Sequence, residues 1–224
     1  MTSKNKIDKA ILESAIKSLE APGKSFSKLP KAESKTKPVL YVFRHGETFD
    51  NKRKIFSGWR QSRLTKKGIT QAKILSEKLK HKKIDVAFES HLVRSMTTLK
   101  IVLKYHPQAK AEIDDRIIER NYGDLAGKSK TKMMKENPVL AAEYRRAYNF
   151  PPPHGESLKI VEKRVFPFCK DLIRRMKKEE INAAVSCHGN SMRVIRRFFE
   201  KLTIKEELTM ENPLGQDYVS YVIR

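Results

Sequence analysis

Cysteine is scarce in this 224-residue chain: the only two, Cys169 and Cys187, stand far apart with no Cys-x-x-Cys pairing. That excludes a disulfide framework and a cysteine-built zinc site. Cys187 ends an apolar run and reads as a small buried hydrophobe rather than a nucleophile. No apolar stretch approaches the roughly eighteen residues that span a bilayer, and the start lacks the apolar core of a secretory signal. Asp8, Glu13 and Glu20, with no arginine near them, argue against an organellar transit peptide. A cytoplasmic protein with no membrane partner is the expectation. Acidic residues are also few, 26 against 48 Lys and Arg, for a net charge of +22. Such an excess favours anionic ligands and their fast electrostatic capture. The lysines are spread through nearly every segment without aromatic interleaving, so no specific nucleic-acid partner is expected.

What is present suits one sizeable core: 39% of the residues are hydrophobic. Residues 1–37 stand apart as a basic N-terminal extension. Ile7, Ile11, Ala15, Ile16 and Leu19 recur at helical spacing, Ala21-Pro22-Gly23 breaks the run, and a Lys/Ser/Pro-rich connector follows. The sequence does not choose whether this helix docks, binds a partner or frays. Residues 38–224 read as a catalytic domain of alternating strands and helices. Strands are expected at 39–44, 84–89, 181–187 and 217–223, and helices at 66–81, 92–105, 157–178 and 190–201. This pattern gives an α/β fold, a three-layer α/β/α sandwich with a mostly parallel central sheet. Between about 110 and 155 the periodicity weakens, and a segment rich in Arg, Lys, Tyr and Pro is expected to cap the strand ends. The alternative there is an ordinary basic surface helix from Lys128 to Tyr148.

Two motifs carry chemistry. Arg44-His45-Gly46 follows the apolar run Val39–Phe43, and His188-Gly189 follows the run Ile181–Cys187. Residues that end separate strands of a parallel sheet converge beyond its carboxyl edge. Histidine beside arginine suits phosphoryl transfer: an imidazole nitrogen attacks phosphorus while guanidinium forks hold the other oxygens. No carboxylate or cysteine stands at ligand spacing from either histidine, so no metal is expected. Taken alone, each His-Gly also fits a satisfied turn.

Further segments follow in order: Asn51, Ser57-Gly58-Trp59, Leu64-Thr65-Lys66-Lys67-Gly68, Ser90-His91-Leu92-Val93-Arg94, Glu119-Arg120-Asn121-Tyr122-Gly123, Arg145-Arg146-Ala147-Tyr148-Asn149-Phe150-Pro151-Pro152-Pro153 and Gly155-Glu156-Ser157-Leu158. With the two His-Gly motifs they resemble the histidine phosphatase superfamily, most closely its cofactor-dependent phosphoglycerate mutases, over about residues 39–223. The resemblance implies interconversion of 2- and 3-phosphoglycerate in glycolysis and gluconeogenesis, primed by 2,3-bisphosphoglycerate, without metal. It implies His45 as nucleophile, Arg44, Arg94 and His188 around the transferred group, and Glu119 as general acid/base. It also implies that Asn51, Gly189 and Asn190 line the phosphate pocket, the helix dipole near Asn190 aiding them. Ser57, Gly58, Arg120, Tyr122, Lys130, Arg145 and Arg146 would bind the small phosphorylated acid. Lys128 and Lys132 are alternatives to Lys130.

The chain departs from the mutase pattern at several places. Trp59-Arg60-Gln61 lacks the aspartate that commonly follows this tryptophan, Asn121 replaces the usual histidine, and the chain stops at Arg224, where mutases commonly carry a mobile tail. The short stretch after Pro153 fits a compact form, a monomer or small homo-oligomer. An uncovered site would favour a phosphatase acting on small phosphorylated metabolites. A non-enzymatic basic binding module is the reading from another class.

Overall fold

The computed structural model describes residues 8–20 and 29–224. Ile7 and the Ala21-Pro22-Gly23 break lie outside these residues. Five strands form one sheet in the order β3-β2-β4-β1-β5. They are β1 (Val39–Arg44), β2 (Val86–Glu89), β3 (Lys110–Ile113), β4 (Ala183–Cys187) and β5 (Tyr218–Val222), and only β5 runs antiparallel. β1, β2 and β4 are buried throughout or nearly so, which is why they read as continuous apolar runs rather than as alternation.

Helices cover both faces. On one, α7 (Leu158–Glu179) and α8 (Gly189–Glu200) bury Val165, Phe168, Leu172, Met192 and Ile195 against Leu40, Val42, Phe88 and Val185. On the other, α3 (Lys66–Leu79) and α4 (Val93–Val102) bury Leu75, Leu79, Leu99 and Val102 against Tyr41, Phe43 and Ala184. Local chemistry starts these helices: Thr65 Oγ1 accepts from Gly68 N at 3.0 Å, and Ser157 caps α7 at Ile160 N. The sandwich expected from the sequence is the one found.

The segment expected to cap the strand ends breaks into two helices, α5 (Lys130–Glu136) and α6 (Pro138–Arg146). Asn137 accepts from Leu140 N and Pro138 opens the second helix, so the single helix from Lys128 to Tyr148 does not form. Two short helices, α2 (Phe49–Lys52) and α9 (Ile204–Thr209), complete the set beside α1 (Lys9–Glu20). No described helix is long and apolar enough to cross a membrane.

Of the N-terminal extension, α1 docks on the domain. Ala15 and Ser18 of α1 are buried, and α1 packs against α6 and α9. Ser14 Oγ donates to the Thr209 carbonyl at 2.9 Å, and Lys205 pairs with Asp8 at 3.0 Å. The described part of the connector is no loose tether either. Ser220 N donates to Pro30 O, Ala32 N donates to Ser220 O, and Leu29 joins the core.

Candidate active site

The parallel register pairs Arg44 of β1 with Cys187 of β4, so the chain leaves both strands at the same level. His45 and His188 therefore arrive side by side, ring centroids 5.2 Å apart, and His45 N donates to the Cys187 carbonyl at 3.1 Å. The loop after His45 is held by close backbone approach. A Cβ on Gly46 would stand 2.3 Å from Gly68 O, and one on Gly68 would stand 2.1 Å from Glu47 O, so neither position accepts a side chain.

His45 is buried, and its Nδ1 lies 2.7 Å from Gly46 O. A carbonyl only accepts, so Nδ1 carries the proton and Nε2 keeps its lone pair. Burial, then the charges of Arg94 and Arg44, hold this imidazole well below the ordinary histidine value. The same causes, with His45 added, keep His188 neutral. His188 Nε2 lies 2.8 Å from Ser90 Oγ, which fixes the ring from the end of β2.

Arg94 is 1% exposed, and burial draws its guanidinium down to about 10, still charged at neutral pH. It donates to Gly58 O at 2.7 Å and Arg60 O at 2.9 Å, stapling the loop around Trp59 to α4. Gln61 Oε1 accepts from Val93 N at 2.9 Å. This side-chain acceptor anchors the Trp59-Arg60-Gln61 loop without an aspartate. Asn121 closes a turn by accepting from Gly123 N and anchors the cap through its own N–H to Glu156.

Glu119 is fixed on several sides. Its carboxylate accepts from Arg120 N at 2.8 Å, Gly189 N at 3.1 Å, Asn190 N at 3.1 Å and Asn190 Nδ2 at 3.0 Å. The N-terminal N–H groups of α8, expected to face a phosphate, hold this carboxylate instead. Trp59 Nε1 and Arg164 Nη2 both donate to the Glu119 carbonyl, at 2.7 and 3.2 Å.

One pocket gathers Arg44, His45, Asn51, Ser57, Gly58, Arg94, Glu119, Tyr122, Lys130, Arg145, Arg146, Gly189 and Asn190. His188 lies buried against His45 rather than in the wall. Arg120, expected to bind substrate, is not in the wall either. It is 0% exposed and donates to the Glu156 and Phe150 carbonyls, tying the cap to the core. Asn51 Oδ1 accepts from Thr48, which leaves its amide N–H as the free donor. Lys130 lies in the pocket wall, whereas Lys132 points to Glu136 on an exposed surface.

The pocket also contains residues that sequence reasoning missed: Ser18, Leu19, Lys54, Arg193, Glu211 and Leu214. Arg193 stands one helical turn after Gly189 on α8, a spacing that could have pointed to it. The others had no local signal. Arg145 Nη2 donates to Ser18 Oγ at 2.6 Å and its Nη1 to the Ala15 carbonyl, so α1 forms one wall. Seven basic side chains face two carboxylates, an arrangement built for a polyanion. No group of three His, Cys, Asp or Glu that could hold a metal occurs among the described residues.

The crowding of cations has a measurable consequence at Lys130. Burial, then Arg145 and Arg44, pulls its ammonium down to about 7. A bound anion stabilises the charged form and raises that value. Ligand binding near pH 8 is therefore expected to take up a fraction of a proton, and affinity should fall as pH rises past about 7. Calorimetry in buffers of different ionisation enthalpy measures the uptake, and Lys130→Met should remove it.

The family model of the histidine phosphatase superfamily (branch 1) matches residues 40–219. The chain is 35% identical over 187 residues to the 2,3-bisphosphoglycerate-dependent phosphoglycerate mutase of Parvibaculum lavamentivorans, covering 81% of this chain and 89% of that protein. It is 36% identical to the phosphoglycerate mutase of Schizosaccharomyces pombe, covering 79% and 88%. Among solved structures, a mycobacterial glucosyl-3-phosphoglycerate phosphatase complexed with VO3 matches with a TM-score of 0.74 at 20% identity, over 82% of this chain and 90% of that one. At that identity the likeness concerns the fold alone.

Proposed function

The chain belongs to the histidine phosphatase superfamily, and from that premise we propose that it interconverts 2- and 3-phosphoglycerate through a phosphohistidine primed by 2,3-bisphosphoglycerate. The observation that carries this reading is the pairing of a neutral, oriented His45 with a second cationic cluster, Lys130, Arg145, Arg146 and Arg193, in the same pocket. A single transferred phosphate needs the first; a substrate with a carboxylate and a second phosphate uses both.

In the proposed reaction His45 Nε2 attacks a phosphorus of 2,3-bisphosphoglycerate. An N–P bond forms as the P–O bond breaks, and Glu119, entering this step as the protonated acid, gives its proton to the departing oxygen and is left as the carboxylate. Arg44 and Arg94 neutralise charge on the equatorial oxygens. In reverse, a hydroxyl of 3-phosphoglycerate attacks the phosphohistidine while Glu119 takes its proton, regenerating the bisphosphate. The bisphosphate reorients, His45 takes the other phosphoryl group, and 2-phosphoglycerate leaves. Arginine and histidine supply the charge stabilisation in this scheme.

One observation favours a second reading. Arg146 and Arg193 are paired with Glu211, and Arg145 donates to Ser18 and the Ala15 carbonyl, so three of the four cations in the second cluster have protein partners. A phosphatase passing the group from His45 to water would not need those three for a ligand. The two readings separate when phosphoenzyme made from labelled bisphosphate is chased. Label moving into glycerate phosphates on addition of 3-phosphoglycerate supports the mutase, whereas equal loss to free phosphate with and without it supports the phosphatase.

A further inference from the structure

The far end of the pocket carries its own carboxylate. Glu211 lies between α9 and β5, is 7% exposed, and shares Oε1 between Arg146 and Arg193, the latter at 2.8 Å. It differs from Glu119 in how it is held. Glu119 is fixed by three backbone N–H groups and an amide, whereas every hydrogen bond of Glu211 among the described residues comes from a guanidinium. Those guanidiniums are the groups that a second anionic group on a ligand would engage.

We propose that Glu211 is a specificity-determining residue, an internal counter-anion that competes with the ligand's distal carboxylate or phosphate for Arg146 and Arg193. The inference rests on the reading of the site as one for a two-anion ligand. Two buried arginines side by side are costly without an anion, and Glu211 supplies one. When a ligand's anion arrives, the carboxylate stays nearby and opposes it. The site then holds a bisphosphate less tightly than bare guanidiniums would, which favours release. Charges a few ångströms apart in a partly buried pocket interact strongly enough for an effect of about tenfold in affinity. Inorganic phosphate needs only the His45 end and should respond little.

The competing account, in which Glu211 merely orients the two arginines, predicts the opposite sign. Calorimetric titration of the full-length protein, Glu211→Gln and Glu211→Asp with inorganic phosphate, 2,3-bisphosphoglycerate and propane-1,3-diol bisphosphate separates them. Glu211→Gln is expected to tighten both two-anion ligands about tenfold and inorganic phosphate by less than about threefold. Glu211→Asp, with its carboxylate drawn back, gives a smaller shift of the same sign, and it carries the test if Glu211→Gln does not fold. Weakened binding of the two-anion ligands, or an equal shift for inorganic phosphate, overturns the proposal. A wild-type protein with no preference for 2,3-bisphosphoglycerate over the propanediol compound counts against the phosphoglycerate reading instead. The sign of the Glu211→Gln effect on the propanediol compound still decides the role of Glu211.

Discussion

His45→Ala is expected to abolish labelling of the protein by labelled 2,3-bisphosphoglycerate and to lower turnover by about 10⁴-fold or more. The size follows from the surroundings of the ring. Nδ1 is committed to Gly46 O, and burial with Arg94 and Arg44 keeps the imidazole uncharged, so Nε2 stays nucleophilic below the pH at which free histidine protonates. No neighbour can take its place. His188 is engaged with Ser90, and Cys187, whose carbonyl accepts from His45 N, has its thiol held protonated by burial. The fold should survive, because the lost ring leaves the backbone pairing of β1 and β4 untouched. Labelling that persists in His45→Ala would remove His45 from the reaction. Loss of labelling together with loss of the circular dichroism spectrum would say nothing specific about the nucleophile, so the spectrum is measured alongside.

Displacing α1 is expected to change the fate of the phosphoryl group. A phosphohistidine hydrolyses when water reaches it, so a mutase must close its site until the acceptor hydroxyl is in place. In this structure Ser18 and Leu19 form part of the wall, and Ala15 and Ser18 hold Arg145. Ala15 has 0% exposure, so Ala15→Arg adds bulk where there is no room and sets a like charge beside Arg145. The ratio of free phosphate to 2-phosphoglycerate should rise about tenfold or more, equivalent to losing roughly 1.4 kcal/mol of discrimination against water. Ser18→Ala, which removes one acceptor and leaves the helix seated, should give a smaller rise. An unchanged ratio in Ala15→Arg, with limited proteolysis showing α1 released, would mean that the helix is no barrier to water.

Much of this arrangement was legible in the residues. The apolar runs of β1 and β4 and the His-Gly after each carried the strand ends and the convergence of two histidines, because a buried parallel strand has to be apolar on both faces. β3 was missed: Lys110–Ile113 lies at the sheet edge, and its Lys-Ala-Glu-Ile alternation spans only four residues and leaves its apolar members exposed. α5 and α6 blurred into one segment because α5 buries no residue fully and α6 buries two arginines beside Ala141 and Ala142, so neither shows a clear apolar stripe. Arg120 was assigned to substrate from its place in a motif, yet its partners, the Glu156 and Phe150 carbonyls, stand far along the chain. Glu211 and Ser18 lay beyond sequence reasoning for a related reason. Each gains its role from an arginine brought close only by the fold, and no local spacing announces that.

The central claim is that His45 passes its phosphoryl group to a phosphoglycerate rather than to water. The direct measurement follows 3-phosphoglycerate with the purified full-length protein and chelator present, with and without catalytic 2,3-bisphosphoglycerate, recording 2-phosphoglycerate and free phosphate together. The account predicts 2-phosphoglycerate formation stimulated by the bisphosphate with little free phosphate. Free phosphate as the main product, with no stimulation by the bisphosphate, would contradict it and assign the same residues to a phosphatase.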